Sequence, residues 1–154
     1  MLQIVEARGE SQIAAVRELF HQYWESFGFT SCFQGFGDEV AGLPGKYARP
    51  GGVLGLLLVE GQAAGCVALR RFDEIRGEFK RLYVLPEYRG RGAGRALLGW
   101  VMERAREIGY RELVADTMPE MAEALAMYER AGFERTGPYA ADATPGAVYL
   151  RIAL

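Results

Sequence analysis

The chain has 154 residues, half of them hydrophobic and a quarter charged, which suits a single packed core. Its net charge of −2 at pH 7 speaks against broad nucleic-acid binding. The longest apolar run, Val53 to Val59, is too short to cross a bilayer. Two cysteines, Cys32 and Cys66, give neither a disulfide framework nor metal-ligand spacing, and both are expected to be free thiols. A Ser-His-Asp or Cys-His arrangement could be built only around the single histidine, His21, which falls inside a helical pattern. The N-terminus shows no basic and apolar leader. The expectation is one cytoplasmic domain over residues 1–154, with no metal, no membrane and no nucleic acid.

Leu2 and Ile4 alternate as a short strand, after which Ile13, Val16, Leu19, Phe20, Tyr23, Trp24 and Phe27 recur at helical spacing. Residues 28–52 lose that period and hold Pro44 and Pro50, with room for one short helix near Asp38 to Leu43. Val53 to Glu60, Ala63 to Phe72 and Gly77 to Val84 read as consecutive antiparallel strands. Gly94 to Ile108 is helical, with Gly109 as its stop. Leu113 to Asp116 is the next strand. Thr117-Met-Pro-Glu120 has capping-box spacing and predicts a helix starting there and running to about Arg130. Gly132-Phe133 opens a strand, and Ala147 to Leu154 forms the closing one. The fold class is mixed α/β (α+β): a central, mostly antiparallel twisted sheet flanked by helices.

The informative stretch runs from Glu78 to Arg95, a strand, a glycine-rich turn and a helix start. Glycines tolerate positive φ and close approach, so consecutive amides at a helix N-terminus can converge on phosphate oxygens. The local basic cluster of Lys80, Arg81, Arg89, Arg91 and Arg95 fits a small polyanion. Neither a nucleotide-triphosphate P-loop nor G-x-G-x-x-G fits these residues.

Arg89, Gly92 and Gly94 instead meet Q/R-x-x-G-x-G/A, which resembles motif A of the GNAT superfamily of N-acetyltransferases. Ala124 to Phe133 is similar to that family's helix ending A-x-x-x-Y-x-x-x-G-F, and the element order agrees along nearly the whole chain. Phrases such as Lys80-Arg-Leu-Tyr-Val84 and Asp116-Thr-Met-Pro119 resemble a bacterial subgroup without one agreed substrate. The resemblance implies acetyl-CoA as the acetyl donor and coenzyme A as product. It also implies a pantetheine arm on the backbone of Leu82, Tyr83 and Val84. The pyrophosphate would lie on the amides of Arg89, Gly90, Arg91, Gly92, Ala93, Gly94 and Arg95. Tyr128 matches the tyrosine that protonates the departing thiolate, and Glu78 stands where some members place the carboxylate that deprotonates the acceptor. Met121 occupies the place of a common asparagine, so one contact to the arm is in question, and Thr117 or backbone would have to replace it.

The resemblance points to a primary amine of a small molecule as acceptor, with the protein as monomer or homodimer. Protein or peptide amines, or a non-catalytic acyl-CoA sensor, are the alternatives. Acceptor walls are expected from Phe29, Phe33, Phe36, Tyr47 and Tyr139, with Arg70, Arg71 and Arg81 as partners for a carboxylate.

Overall fold

The computed structural model describes residues 1–26, 36–140 and 146–154. In chain order the elements are β1 (Leu2–Glu6), α1 (Gly9–Glu25), α2 (Phe36–Ala41), β2 (Val53–Val59), β3 (Gln62–Arg71), β4 (Arg76–Val84), α3 (Ala93–Ile108), β5 (Glu112–Thr117), α4 (Ala122–Arg130), β6 (Glu134–Thr136) and β7 (Val148–Ala153). The strands form one sheet ordered β1-β2-β3-β4-β5-β7-β6. Every pairing is antiparallel except β4 with β5. This is the expected mixed α/β class.

Alternation along the strands sorts the core into two layers. Val53, Leu57, Val67, Leu69, Phe79, Leu113 and Leu150 share one cluster with Leu97, Leu98 and Val101 of α3 and Leu125 and Tyr128 of α4. Leu54, Leu56, Cys66, Ala68 and Tyr83 share the other with Val16, Leu19, Phe20 and Trp24 of α1 and Phe36 and Val40 of α2. β2 is buried on both faces, which explains its unbroken apolar run. Leu97 is completely buried at the centre of the first layer. Leu97→Ala should therefore cost about 2–5 kcal/mol, to be read from the urea midpoint of unfolding.

Two local features position the site. The parallel pairing of β4 with β5 extends only from Arg76↔Glu112 to Glu78↔Val114, so the two strands part beyond Glu78. At the same level β4 bulges: Cys66 faces Tyr83 and Ala68 faces Lys80, leaving Arg81 and Leu82 opposite one residue of β3. Arg81 takes φ +60° there, a left-handed conformation in a residue other than glycine.

One expected start is corrected. Thr117 caps no helix; it is the last residue of β5, pairs with Val148 and is buried. α4 begins five residues later, with Met121 at the cap and no side-chain capping bond. Sheet pairing claims the threonine that the local spacing assigns to the helix. Phe27, Phe29, Cys32 and Phe33 lie outside the described residues.

Candidate active site

Parting of β4 from β5 leaves an edge of β4 unpaired within the sheet. Leu85 N–H donates to Ala64 O at 2.8 Å, so by alternation Tyr83 turns its peptide groups toward β3, while Val84 turns its own toward the opening. The Val84 carbonyl is met from that side by Arg89 Nε at 2.9 Å. Past Val84 the chain turns through Pro86–Tyr88 into Gly90 and Gly92, at φ +81° and +77°. Gly92 caps α3, whose first intrahelical bond runs from Ala96 N to Gly92 O. The amides of Ala93, Gly94 and Arg95 therefore have no carbonyl ahead of them within the helix. A Cβ on Gly90 or Gly92 would meet none of the described residues beyond its chain neighbours within 4 Å, so among them the space before these amides is open. Gly94 lies on the closed side, where a Cβ would come within 3.3 Å of Met127 Sδ of α4.

Arg89, Arg91 and Arg95 are exposed around this turn, Arg89 over the Tyr83 ring and Arg91 over the Tyr88 ring. Lys80 and Arg81 leave the basic cluster that the sequence suggests. The bulge directs both toward the α1–α2 side, where Lys80 approaches Glu78 and Asp116, at 3.9 and 3.6 Å, and Arg81 binds Glu39 with two bonds of 3.0 Å. Arg81 also lies against the faces of Trp24 and Phe36. These cations neutralise acids rather than phosphate.

That side of the sheet carries the residues expected to form the acceptor face. Glu78, only 2% exposed, receives Arg70 Nε at 2.8 Å on one carboxylate oxygen and the Tyr139 hydroxyl at 2.5 Å on the other. Burial, with Glu78 and Asp116 nearby, pushes the Tyr139 hydroxyl far above its ordinary range, so it stays a donor. Its ring stands edge-on to Phe72 and Tyr149. Of the other expected walls, Phe36 and Tyr47 are core residues beneath Arg81 and Glu39. Arg71, exposed and paired with Gly77, points to the opposite face from Arg70. Asp116 was legible only as the end of a strand; its facing follows from the register with β4 and β7. A single acid in the run Leu-Val-Ala-Asp, in phase with the Val114 side, was the one available signal.

Tyr128 approaches from the other layer. Its ring packs edge-on to Phe79 and also touches Phe133, and the residue is 5% exposed. Burial raises its hydroxyl above the ordinary tyrosine range, and Tyr23 and Asp116 add to the rise. Both of those groups lie on the α1–α2 side of the sheet, opposite the layer in which Tyr128 packs. Cys66, fully buried and with its thiol pushed well up by burial, donates to Arg81 O and is no nucleophile.

A family profile described as Acetyltransferase (GNAT) family matches residues 13–133. The chain belongs to this family of acetyl-CoA-dependent N-acetyltransferases. An uncharacterized N-acetyltransferase of Schizosaccharomyces pombe is 36% identical over 136 residues, 87% of this chain and 83% of that protein. The aminoglycoside N(6')-acetyltransferase type 1 of Stenotrophomonas maltophilia is 35% identical over 85 residues, half of this chain and 56% of its own. Among solved structures, the Salmonella typhimurium protein yncA, determined with acetyl-CoA, superposes with a TM-score of 0.75 at 17% identity, over 99% of this chain and 93% of that one. As a GNAT chain it uses acetyl-CoA as cosubstrate. The residues present fit that molecule: an unpaired strand edge for an amide-bearing arm, and an open glycine turn with free helix amides for a pyrophosphate.

Proposed function

We propose that the chain, as one catalytic domain over residues 1–154, transfers the acetyl group of acetyl-CoA to a primary amine of a small molecule by direct attack on the thioester. The observation that carries this reading is the meeting of two sets of groups at the opening beyond Glu78. A buried phenol, Tyr128, comes from one side of the sheet, and carboxylates paired to cations come from the other. Leu82 and Val84 would hold the arm by their backbone, with Tyr83 lining it by its ring. The amides and side chains from Arg89 through Gly90, Arg91, Gly92, Ala93, Gly94 and Arg95 would take the phosphates.

The reaction needs a neutral nitrogen. A carboxylate of the acceptor face, Glu78 on the sequence reading, accepts a proton from the ammonium. The nitrogen forms its bond to the carbonyl carbon as the carbon–sulfur bond breaks and releases its second proton to water, and Tyr128 supplies a proton to the thiolate. A small acceptor is favoured because Tyr139 reaches across to Glu78 and narrows the face, and because the Stenotrophomonas relative is named for an aminoglycoside substrate. A non-catalytic sensor would need the glycine turn but no phenol in the opening.

The test is a screen of amines, amino acids, aminoglycosides and peptides that follows release of free coenzyme A. Turnover with compact amines and none with peptides is expected. The reverse pattern would move the assignment to peptide or protein amines, and acetyl-CoA binding without turnover on any acceptor would favour the sensor.

A further inference from the structure

The two carboxylates of the acceptor face are held very differently. Both oxygens of Glu78 are engaged, one by Arg70 through Nε at 2.8 Å and a second guanidinium nitrogen at 2.7 Å, the other by the Tyr139 hydroxyl. Its side chain is 3% exposed. Asp116 is 22% exposed, and its one ionic neighbour among the described residues, Lys80, stands at 3.6 Å, beyond a normal hydrogen bond. A group that accepts a proton from a substrate must come within about 2.6–3.2 Å of it or share one water with it. Three fixed donors take most of the acceptor positions of Glu78 and burial closes it to solvent, whereas Asp116 is partly exposed and accepts no hydrogen bond from the described residues.

Register places Asp116 correctly for this. Glu78↔Val114 is the last pair joining β4 to β5, so Lys80 and Asp116 are the first residues of the same face beyond the point where the strands part. The charge of Asp116 also adds to the upward push on the Tyr128 hydroxyl, which packs in the other layer. Asp116 is thus the acid nearest, along β5, to the place where acetyl transfer would occur.

We infer that Asp116 takes the proton from the incoming ammonium, and that Glu78 is a positioning residue that fixes Arg70 and Tyr139 against the acceptor. This rests on the acetyl-transfer reading above. The proton leaves nitrogen for an Asp116 oxygen. The freed lone pair forms the bond to the acetyl carbon, the sulfur departs with the electrons of the broken carbon–sulfur bond, and Tyr128 returns a proton to it. The nitrogen releases its second proton to water as the amide forms; after product leaves, Asp116 loses its proton to water and Tyr128 takes one back from water.

Other groups face Asp116 from every element around it. Lys80 and Glu78 come from β4 and Tyr23 from α1. Tyr128 comes from α4, and Tyr139 lies beyond β6. On β7, Tyr149 pairs with it, and Arg151, one same-face step along, is tied to Glu112 and Glu134. Lys80 lies between the two acids and offsets the repulsion that two carboxylates on one face would otherwise exert. Tyr23, Tyr128 and Tyr139, all pushed upward by burial, remain neutral across the working range, so the acid limb of the rate profile does not come from them.

Asp116→Asn and Glu78→Gln separate the roles. Single-turnover rates would be followed from pH 6 to 10 with a primary amine found active in the screen and with hydroxylamine, an acceptor that is already neutral near pH 7. Thermal melting and acetyl-CoA affinity by calorimetry would accompany them. Asp116→Asn should lose about a hundredfold with the ordinary amine near neutrality, recover as pH rises, and lose less than about tenfold with hydroxylamine, with melting and affinity unchanged. Glu78→Gln should melt earlier, because Arg70 loses its buried counter-charge, and should slow both acceptors alike. An Asp116→Asn rate near wild type, an equal loss with both acceptors, or an acceptor-dependent loss in Glu78→Gln alone would overturn the assignment. No turnover by the wild type on any amine would instead overturn the acetyl-transfer reading on which it rests.

Discussion

Gly92→Val should abolish measurable acetyl-CoA binding in a chain that still folds. Gly92 caps α3 at φ +77°, where a β-branched residue is strongly disfavoured, and the left-handed region costs about 1–2 kcal/mol even for simpler side chains. Nothing in the protein lies where its Cβ would project, so no clash in the core arises and global unfolding is not expected. The penalty falls on the turn. Relaxing φ toward negative values swings the Gly92–Ala93 peptide and misaims the amides of Ala93, Gly94 and Arg95. Hydrogen bonds to charged groups are worth about 1.5–3 kcal/mol each. Losing two corresponds to roughly a hundredfold to more than ten-thousandfold in affinity. Calorimetry with acetyl-CoA, alongside a thermal melt, measures both quantities. A cooperative melt with wild-type affinity would withdraw the phosphate role from this turn.

Tyr128→Phe should slow the chemical step by about a hundredfold while leaving acetyl-CoA affinity nearly unchanged. General-acid contributions run from about a hundredfold to ten-thousandfold, and burial decides where in that range this tyrosine falls. An exposed phenol near 10 already exceeds a thiol near 8.5, and burial raises Tyr128 further. Proton transfer to the sulfur is thus less favourable than for an exposed phenol, which places the effect at the lower end. The same shift keeps the hydroxyl protonated at every assay pH below its raised value, so no alkaline fall in rate should come from Tyr128. The ring contacts with Phe79 and Phe133 survive in phenylalanine, and stability should change little. Single-turnover acetyl transfer across pH, with a melting curve, checks this. A wild-type rate would mean that the sulfur takes its proton from elsewhere.

Strands, helices and the glycine turn are local matters, and their residues announce them: the apolar run of β2, the stripe of α1, the Gly109 stop of α3. The acceptor face is not local. Arg70, Glu78, Asp116 and Tyr139 come together only through the register of β3, β4, β5 and β7 and the chain beyond β6. The bulge that turns both Lys80 and Arg81 to one side occurs without a glycine, because bidentate pairing with Glu39 and the rings of Trp24 and Phe36 hold Arg81 in place. No residue type marks such a bend in advance. Thr117 is the converse: its spacing to Glu120 is right for a cap, and long-range pairing with Val148 overrides it.

Placement of β7 between β5 and β6 has a consequence for biosynthesis. Among the described residues β6 makes no pairing with β5, and its one partner in the sheet is a strand made after it. On the ribosome, β1 through β4 and α1 through α3 can assemble while the acceptor side is still open, because Tyr149 and the partner of Thr117 have not yet been synthesised. The glycine turn can therefore take shape before Asp116 is fixed in register. A nascent chain arrested before residue 148 would carry the glycine turn but an unpaired outer edge on β5, a state open to strand addition from another chain.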